Sequence, residues 1–82
     1  MKLTHPTNLA NFSRLELNDG KIVYFSYETP IVFFEPDKTP LITKNQWGPT
    51  TGKHINYVKR LIAGQDHHDV DHEFLMNCLN TL

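Results

Sequence analysis

The 82-residue sequence holds a single cysteine, Cys78, and only two serines, Ser13 and Ser26. One cysteine cannot make an internal disulfide, so the fold has no covalent staple and suits a reducing compartment. Two serines, both in β-type stretches, leave little material for a hydroxyl nucleophile. Long apolar runs are also missing. The longest uninterrupted aliphatic and aromatic run is residues 31–34 (Ile-Val-Phe-Phe), extended only by Pro30, so no segment is expected to cross a membrane. The N-terminus lacks the charged, apolar, then small pattern of a signal peptide. Net charge is only -1, which excludes a bulk electrostatic grip on nucleic acid. These absences point to a cytoplasmic location.

What is present is one modest core. Apolar residues make up 39% of the chain and aromatics 11%, enough for a small packed domain and too much for a disordered one. Residues 1–11 read as an irregular lead-in. Three β-type runs follow, at 12–17, 21–27 and 31–35. Asn18-Asp19-Gly20 between the first two is the strongest hairpin signal. The unbroken third run predicts burial on both faces, or one face plus a partner. A short fourth strand fits residues 41–43, with Pro40 marking an edge.

The period then changes. Ile55, Val58 and Ile62 recur at helical spacing over residues 49–63, with Leu61 beside them. Pro49 suits the first turn and Thr50 or Thr51 could cap it. A second helix fits residues 70–82, with Asp71 as N-cap and a Val70–Leu75 staple. Its apolar stripe is Leu75, Cys78, Leu79 and Leu82, flanked by Phe74, and Cys78 is expected to be buried there. The expected architecture is a single α+β domain. An antiparallel sheet of three or four strands at residues 12–44 is followed by two helices packed on one face. Charge is uneven along it. Residues 37–64 carry five Lys/Arg and one Asp, whereas residues 65–82 carry four acids and no Lys or Arg.

Three clusters could carry function. Trp47-Gly48-Pro49-Thr50-Thr51-Gly52-Lys53-His54 looks at first like a phosphate loop. However, three residues rather than four separate its glycines, and His rather than Ser/Thr follows the lysine. Thr50, Thr51 and the first helical amides could still hold an anion, assisted by Lys53 and His54. The plainer reading packs Trp47 on the sheet and uses the threonines as caps. His67, His68 and His72, interleaved with Asp69 and Asp71, are weak metal candidates. No paired cysteines and no His-Glu-x-x-His spacing support them, so neither metal nor cofactor is expected. The third cluster is the basic middle: Lys38, Lys44, Lys53, His54, Lys59 and Arg60 with Trp47 and Tyr57. Lys53, Asn56, Tyr57 and Arg60 fall on one helical face, which is an ordinary solvated surface, a nucleic-acid contact or a protein interface.

The segment Asn45-Gln46-Trp47-Gly48-Pro49-Thr50-Thr51-Gly52-Lys53-His54-Ile55-Asn56 resembles a pattern in small, mostly uncharacterised proteins of tailed phages. There a W-S-x-T-T-x-K-H-L-N segment follows a Y-F-S-Y-x-T strand, which Tyr24-Phe25-Ser26-Tyr27-Glu28-Thr29 matches here. His72-Glu73-Phe74-Leu75 is similar to that family's acidic-aromatic last helix. Gly48 stands where the family often has Ser. The resemblance implies a phage origin and a β-then-α domain, and implies no activity.

No nucleophile, base and oxyanion donors assemble from the sequence, so no enzyme is expected. The expected function is a small non-enzymatic phage accessory protein that binds and modulates a host or phage protein, inhibition included. A homodimer is a further option. Binding residues are expected among Trp47, Thr50, Thr51, Lys53, His54, Tyr57 and Arg60. The runner-up is a nucleic-acid-binding module using the Lys53–Arg60 helix with Trp47 and Tyr57. A metal-dependent enzyme using the histidines ranks third.

Overall fold

The computed structural model describes residues 2–5 and 9–81; Leu82, expected to end the second helix's stripe, lies outside them. Eight elements follow in order: β1 (Lys2–Thr4), β2 (Phe12–Glu16), β3 (Ile22–Ser26), β4 (Thr29–Phe34), β5 (Leu41–Thr43), α1 (Pro49–Leu61), β6 (His68–Val70) and α2 (His72–Asn80). The class is α+β, with strand number and pairing different from expectation. Six strands form one sheet in chain order, antiparallel from β1 to β5, with β6 parallel to β5.

Both extra strands were invisible to periodicity for the same reason: each is three residues long and mostly exposed. Leu3 of β1 is among the most exposed apolar residues, so no alternating buried face marks it. β6 is held through its backbone. The His68 N–H donates to Pro40 O at 2.9 Å, and the Lys44 N–H donates to Val70 O at 2.9 Å. Pro40 therefore does not mark an edge; it is buried just ahead of an interior strand.

The Asn18–Gly20 hairpin forms as read. Gly20 sits at φ 87°, and the Leu17 N–H donates to Lys21 O at 2.8 Å. Asp19 closes the turn from outside through Oδ2 to Lys21 Nζ at 2.9 Å. The next hairpin is less regular. Tyr24 pairs with Val32 and Phe25 with Pro30, so Ile31 is an extra, bulged residue in β4. Pro30 tolerates this place because it has no N–H to lose from the ladder.

Register divides the core in two. Tyr24, Val32 and Ile42 lie side by side across the sheet and pack with Ile55, Val58 and Ile62 of α1. Val23 and Phe33, one position away, point oppositely and pack with Leu75 of α2, supported by Leu41, Val70 and Leu79. The helices thus cover opposite faces of the sheet, not one face as expected. The run in β4 is buried on both faces because a helix lies on each. Each fully buried Ile, Val or Phe there contributes about 1.5–3 kcal/mol. Phe74 is exposed and Cys78 is half-buried.

The connection explains the arrangement. A parallel pair needs a crossover, and α1 supplies it between β5 and β6. β3 and β5 both run opposite to β4. The β3–β4 turn, the loop after β5 and the starts of both helices therefore gather at one end of the sheet.

Candidate functional site

That end presents two aromatic side chains to solvent. Tyr27, at the tip of the β3–β4 turn, is 55% exposed, and Trp47, in the loop after β5, is 40% exposed. Both line one recess of about 220 Å³, whose other walls are Ser26, Thr29 and the first turn of α1. A second recess of about 560 Å³ lies on the far side of Tyr27, lined among others by His5, Asn11, Phe12 and Glu28.

Local backbone chemistry holds both aromatics in place. Tyr27 adopts φ 56°, a left-handed conformation that costs an L-residue about 1–2 kcal/mol. It is kept there by its N–H, which donates to Asn11 O at 2.6 Å. Asn45 organises the Trp47 loop. Its Oδ1 accepts from the N–H groups of Trp47 and Gly48 at 3.1 and 3.3 Å, and its Nδ2 donates to Gly48 O at 3.0 Å. Gly52 makes room for this, since a Cβ there would lie 3.0 Å from Asn45 Nδ2. The Trp47 indole also meets the His72 ring edge-on, with centroids 5.0 Å apart. His72 Nε2 is buried and has no hydrogen-bond partner among the described residues.

The N-cap of α1 is Gly48 at φ 133°, with no side-chain cap hydrogen bond. Neither Thr50 nor Thr51 caps the helix, because Pro49 at the first position places both inside it. Thr51 turns inward to a buried network instead. Its Oγ1 lies 2.9 Å from Ser26 Oγ, Ser26 Oγ lies 2.7 Å from His54 Nδ1, and His54 Nε2 lies 3.0 Å from Ala10 O. His54 also stacks on Phe12 at 4.8 Å.

A carbonyl can only accept, so His54 Nε2 is the donor to Ala10. For the neutral imidazole the rest of the order follows. Nδ1 accepts from the Ser26 hydroxyl, and Ser26 Oγ accepts from the Thr51 hydroxyl. Ser26 and His54 have the spacing of a nucleophile and its base. Yet each is only 1% exposed, and the Ser26 hydroxyl already donates once and accepts once. The network's geometry is that of a clamp joining β3, α1 and the segment before β2.

The seven expected binding residues therefore separate. Trp47 and Thr50 are exposed at the recess, with Thr51 behind them in the interior. His54 faces the core and cannot touch a ligand, which corrects its expected role. Lys53, Tyr57 and Arg60 line a different depression of about 380 Å³ with Leu9. Trp47 is thus not a stacking partner of the basic helix face. The histidine cluster also disperses. His67 Nε2 pairs with Asp69 Oδ1 at 3.4 Å, His68 sits in β6 and His72 lies against Trp47. Among the described residues no three His, Cys, Asp or Glu side chains converge as metal ligands would.

Ser26 and Tyr27 stand outside the seven binding residues expected from the sequence, although Tyr27 is one of the amphipathic aromatics, with Tyr24, Trp47 and Tyr57, that suit an interface. A signal for Ser26 existed, since it shares the inward face of β3 with Tyr24. Similarly, Thr51, Ile55, Val58 and Ile62 trace an inward helical stripe that His54 joins at four residues from Val58.

The described residues contain no helix long and apolar enough to cross a membrane. No curated protein and no solved structure matches the chain. Residues 1–74 match the family model described as a family of unknown function (DUF8033), and the chain belongs to that family.

Proposed function

We propose that this is a small, non-enzymatic accessory protein of a tailed phage that binds and modulates a host or phage protein in the host cytoplasm. Its contact surface is the end of the sheet bearing Tyr27 and Trp47. The observation that carries the reading is the exposure of Trp47 on a loop tied by three Asn45 hydrogen bonds. Trp and Tyr are favoured where binding energy concentrates, because a rigid aromatic buries a large area at little entropic cost. The recess they share has the shape to receive a projecting side chain, and its lining carries no charged residue.

The test compares partners captured from a bacterial host lysate by the wild-type chain and by the Trp47→Ala and Tyr27→Ala variants. A captured protein is then purified and titrated by isothermal calorimetry, because Trp47→Ala removes the single tryptophan. Loss of about 30-fold or more in affinity on Trp47→Ala, corresponding to about 2 kcal/mol, supports the reading. Retention of every partner by both folded variants contradicts it.

A further inference from the structure

Ion pairs settle much of the charge imbalance along the chain, and two of the cations left without one stand together on α1, apart from Lys2 on β1. Arg14, Lys21, Lys38, Lys44 and Lys59 each pair with a carboxylate at 2.9–3.6 Å. Two of these pairs join the basic middle to the acidic C-terminal segment: Lys44 with Asp71 beside the β5–β6 ladder, and Lys59 of α1 with Asp69 of β6. Lys53 and Arg60 have no such partner among the described residues. Both are exposed, and both line the same depression on the outer side of α1. No carboxylate lines it, and none of the thirteen residues of α1 is acidic.

Two like charges left unpaired on one helix face repel each other, so an anion spanning them is favoured. Tyr57 lies between them in sequence at i+4, with Arg60 at i+7. The face therefore reads cation, aromatic, cation over about 10 Å of helix. Phe12 fixes the tyrosine ring by an edge-on contact at 5.4 Å. An acidic peptide matches the cations but sets an aromatic plane beside the ring only where an aromatic residue happens to fall between its carboxylates. A nucleotide strand alternates phosphates with planar bases and matches both.

The geometry points to a second binding surface: Lys53 and Arg60 each contact a phosphate of a single-stranded nucleic acid, with a base set beside Tyr57. This surface is separate from the Tyr27–Trp47 recess, and either can be disproved without the other.

The test titrates fluorescein-labelled twelve-residue oligo-dT with the intact protein and follows anisotropy from 20 to 200 mM salt. Two phosphate contacts give a slope of log K against log salt of about -1.4, a fall of about 25-fold over that range. Each of Lys53→Ala and Arg60→Ala lowers the slope by about 0.7. The double variant abolishes the dependence and weakens binding at 20 mM by about 10-fold or more. Lys59→Ala, on a lysine already paired with Asp69, leaves the slope in place. Circular dichroism confirms the fold of each variant, which the exposure of both side chains predicts.

Three outcomes overturn the proposal: no binding at 20 mM salt, binding unchanged in the double variant, or displacement of oligo-dT by polyglutamate as effective as by unlabelled oligo-dT. Tighter binding of a duplex of equal length also overturns it, in favour of a double-stranded ligand.

Discussion

Removing the Ser26 hydroxyl tests the order of the buried hydrogen bonds. Ser26→Ala changes almost no volume, so its cost comes from polar groups left behind. It strands His54 Nδ1 without a donor and the Thr51 hydroxyl without an acceptor, both in the interior. Each buried unsatisfied group costs about 1–3 kcal/mol, so the substitution should cost about 2–6 kcal/mol. A domain of this length has about 4–12 kcal/mol to lose. At about 4–8 °C per kcal/mol, the melting temperature should drop by at least about 8 °C.

Thr51→Val is the matched control. It removes a hydroxyl that only donates to Ser26, and Ser26 keeps its own bond to His54. Its cost should be about 0.5–1.5 kcal/mol, a shift of a few degrees. In the double variant the stranded Thr51 hydroxyl is gone, so the two costs should sum to more than the measured total. Thermal and urea unfolding, monitored by circular dichroism, read all three. If Thr51→Val costs as much as Ser26→Ala, or if the two add, the hydrogen-bond order derived from the Ala10 carbonyl is refuted.

Two further outcomes follow from the fold. Leu75 alone among α2 residues is fully buried, so Leu75→Ala should cost about 2–5 kcal/mol. Hydrogen exchange should then accelerate first over residues 66–80 while β2 to β4 stay protected, and uniform acceleration would count against the two-sided core. The hydrogen bond from the Lys21 side chain holds the Asp19 carboxyl below its ordinary value of 3.8. The stabilisation is therefore fully present above that value and is lost as pH falls through the lower folded value. An NMR titration should show Asp19 as the late-protonating group of the β2–β3 turn, and Asp19→Asn should remove that step.

Where the sequence was legible, a periodic buried face made it so. Tyr24, Val32, Ile55, Val58, Ile62 and Leu75 show up because burial repeats at the spacing of their element. The Asn18–Gly20 turn was legible because its positive φ demands glycine. β1 and β6 left no trace, since their pairing is carried by backbone groups that every residue has. Placement of both helices on one face failed for a related reason. A helix's stripe shows that it packs but not on which side, and only the crossover between β5 and β6 decides that. Trp47 could be read either way, and Asn45, whose hydrogen bonds tie the loop that presents it, carries no distinctive pattern. His54 was misread because adjacency to Lys53 grouped it with the basic cluster and the anion-holding loop, although consecutive helical residues point about 100° apart.

The parallel pairing of β5 with β6 has a kinetic consequence. Strands β1 to β4 contact sequence neighbours through short turns, whereas the β5–β6 ladder closes a segment of about 25 residues, at roughly 3 kcal/mol of loop entropy. Nothing repays that until α1 has formed and docked. The meander should therefore organise early and the segment from β6 through α2 last. During synthesis β5 waits as an open edge until residues 68–70 emerge and pair with it, and the same segment is the first to reopen in the finished protein. Lys44 and Lys59 recover their carboxylate partners only in that last step, so the nascent chain passes through a state more strongly basic than the protein it becomes.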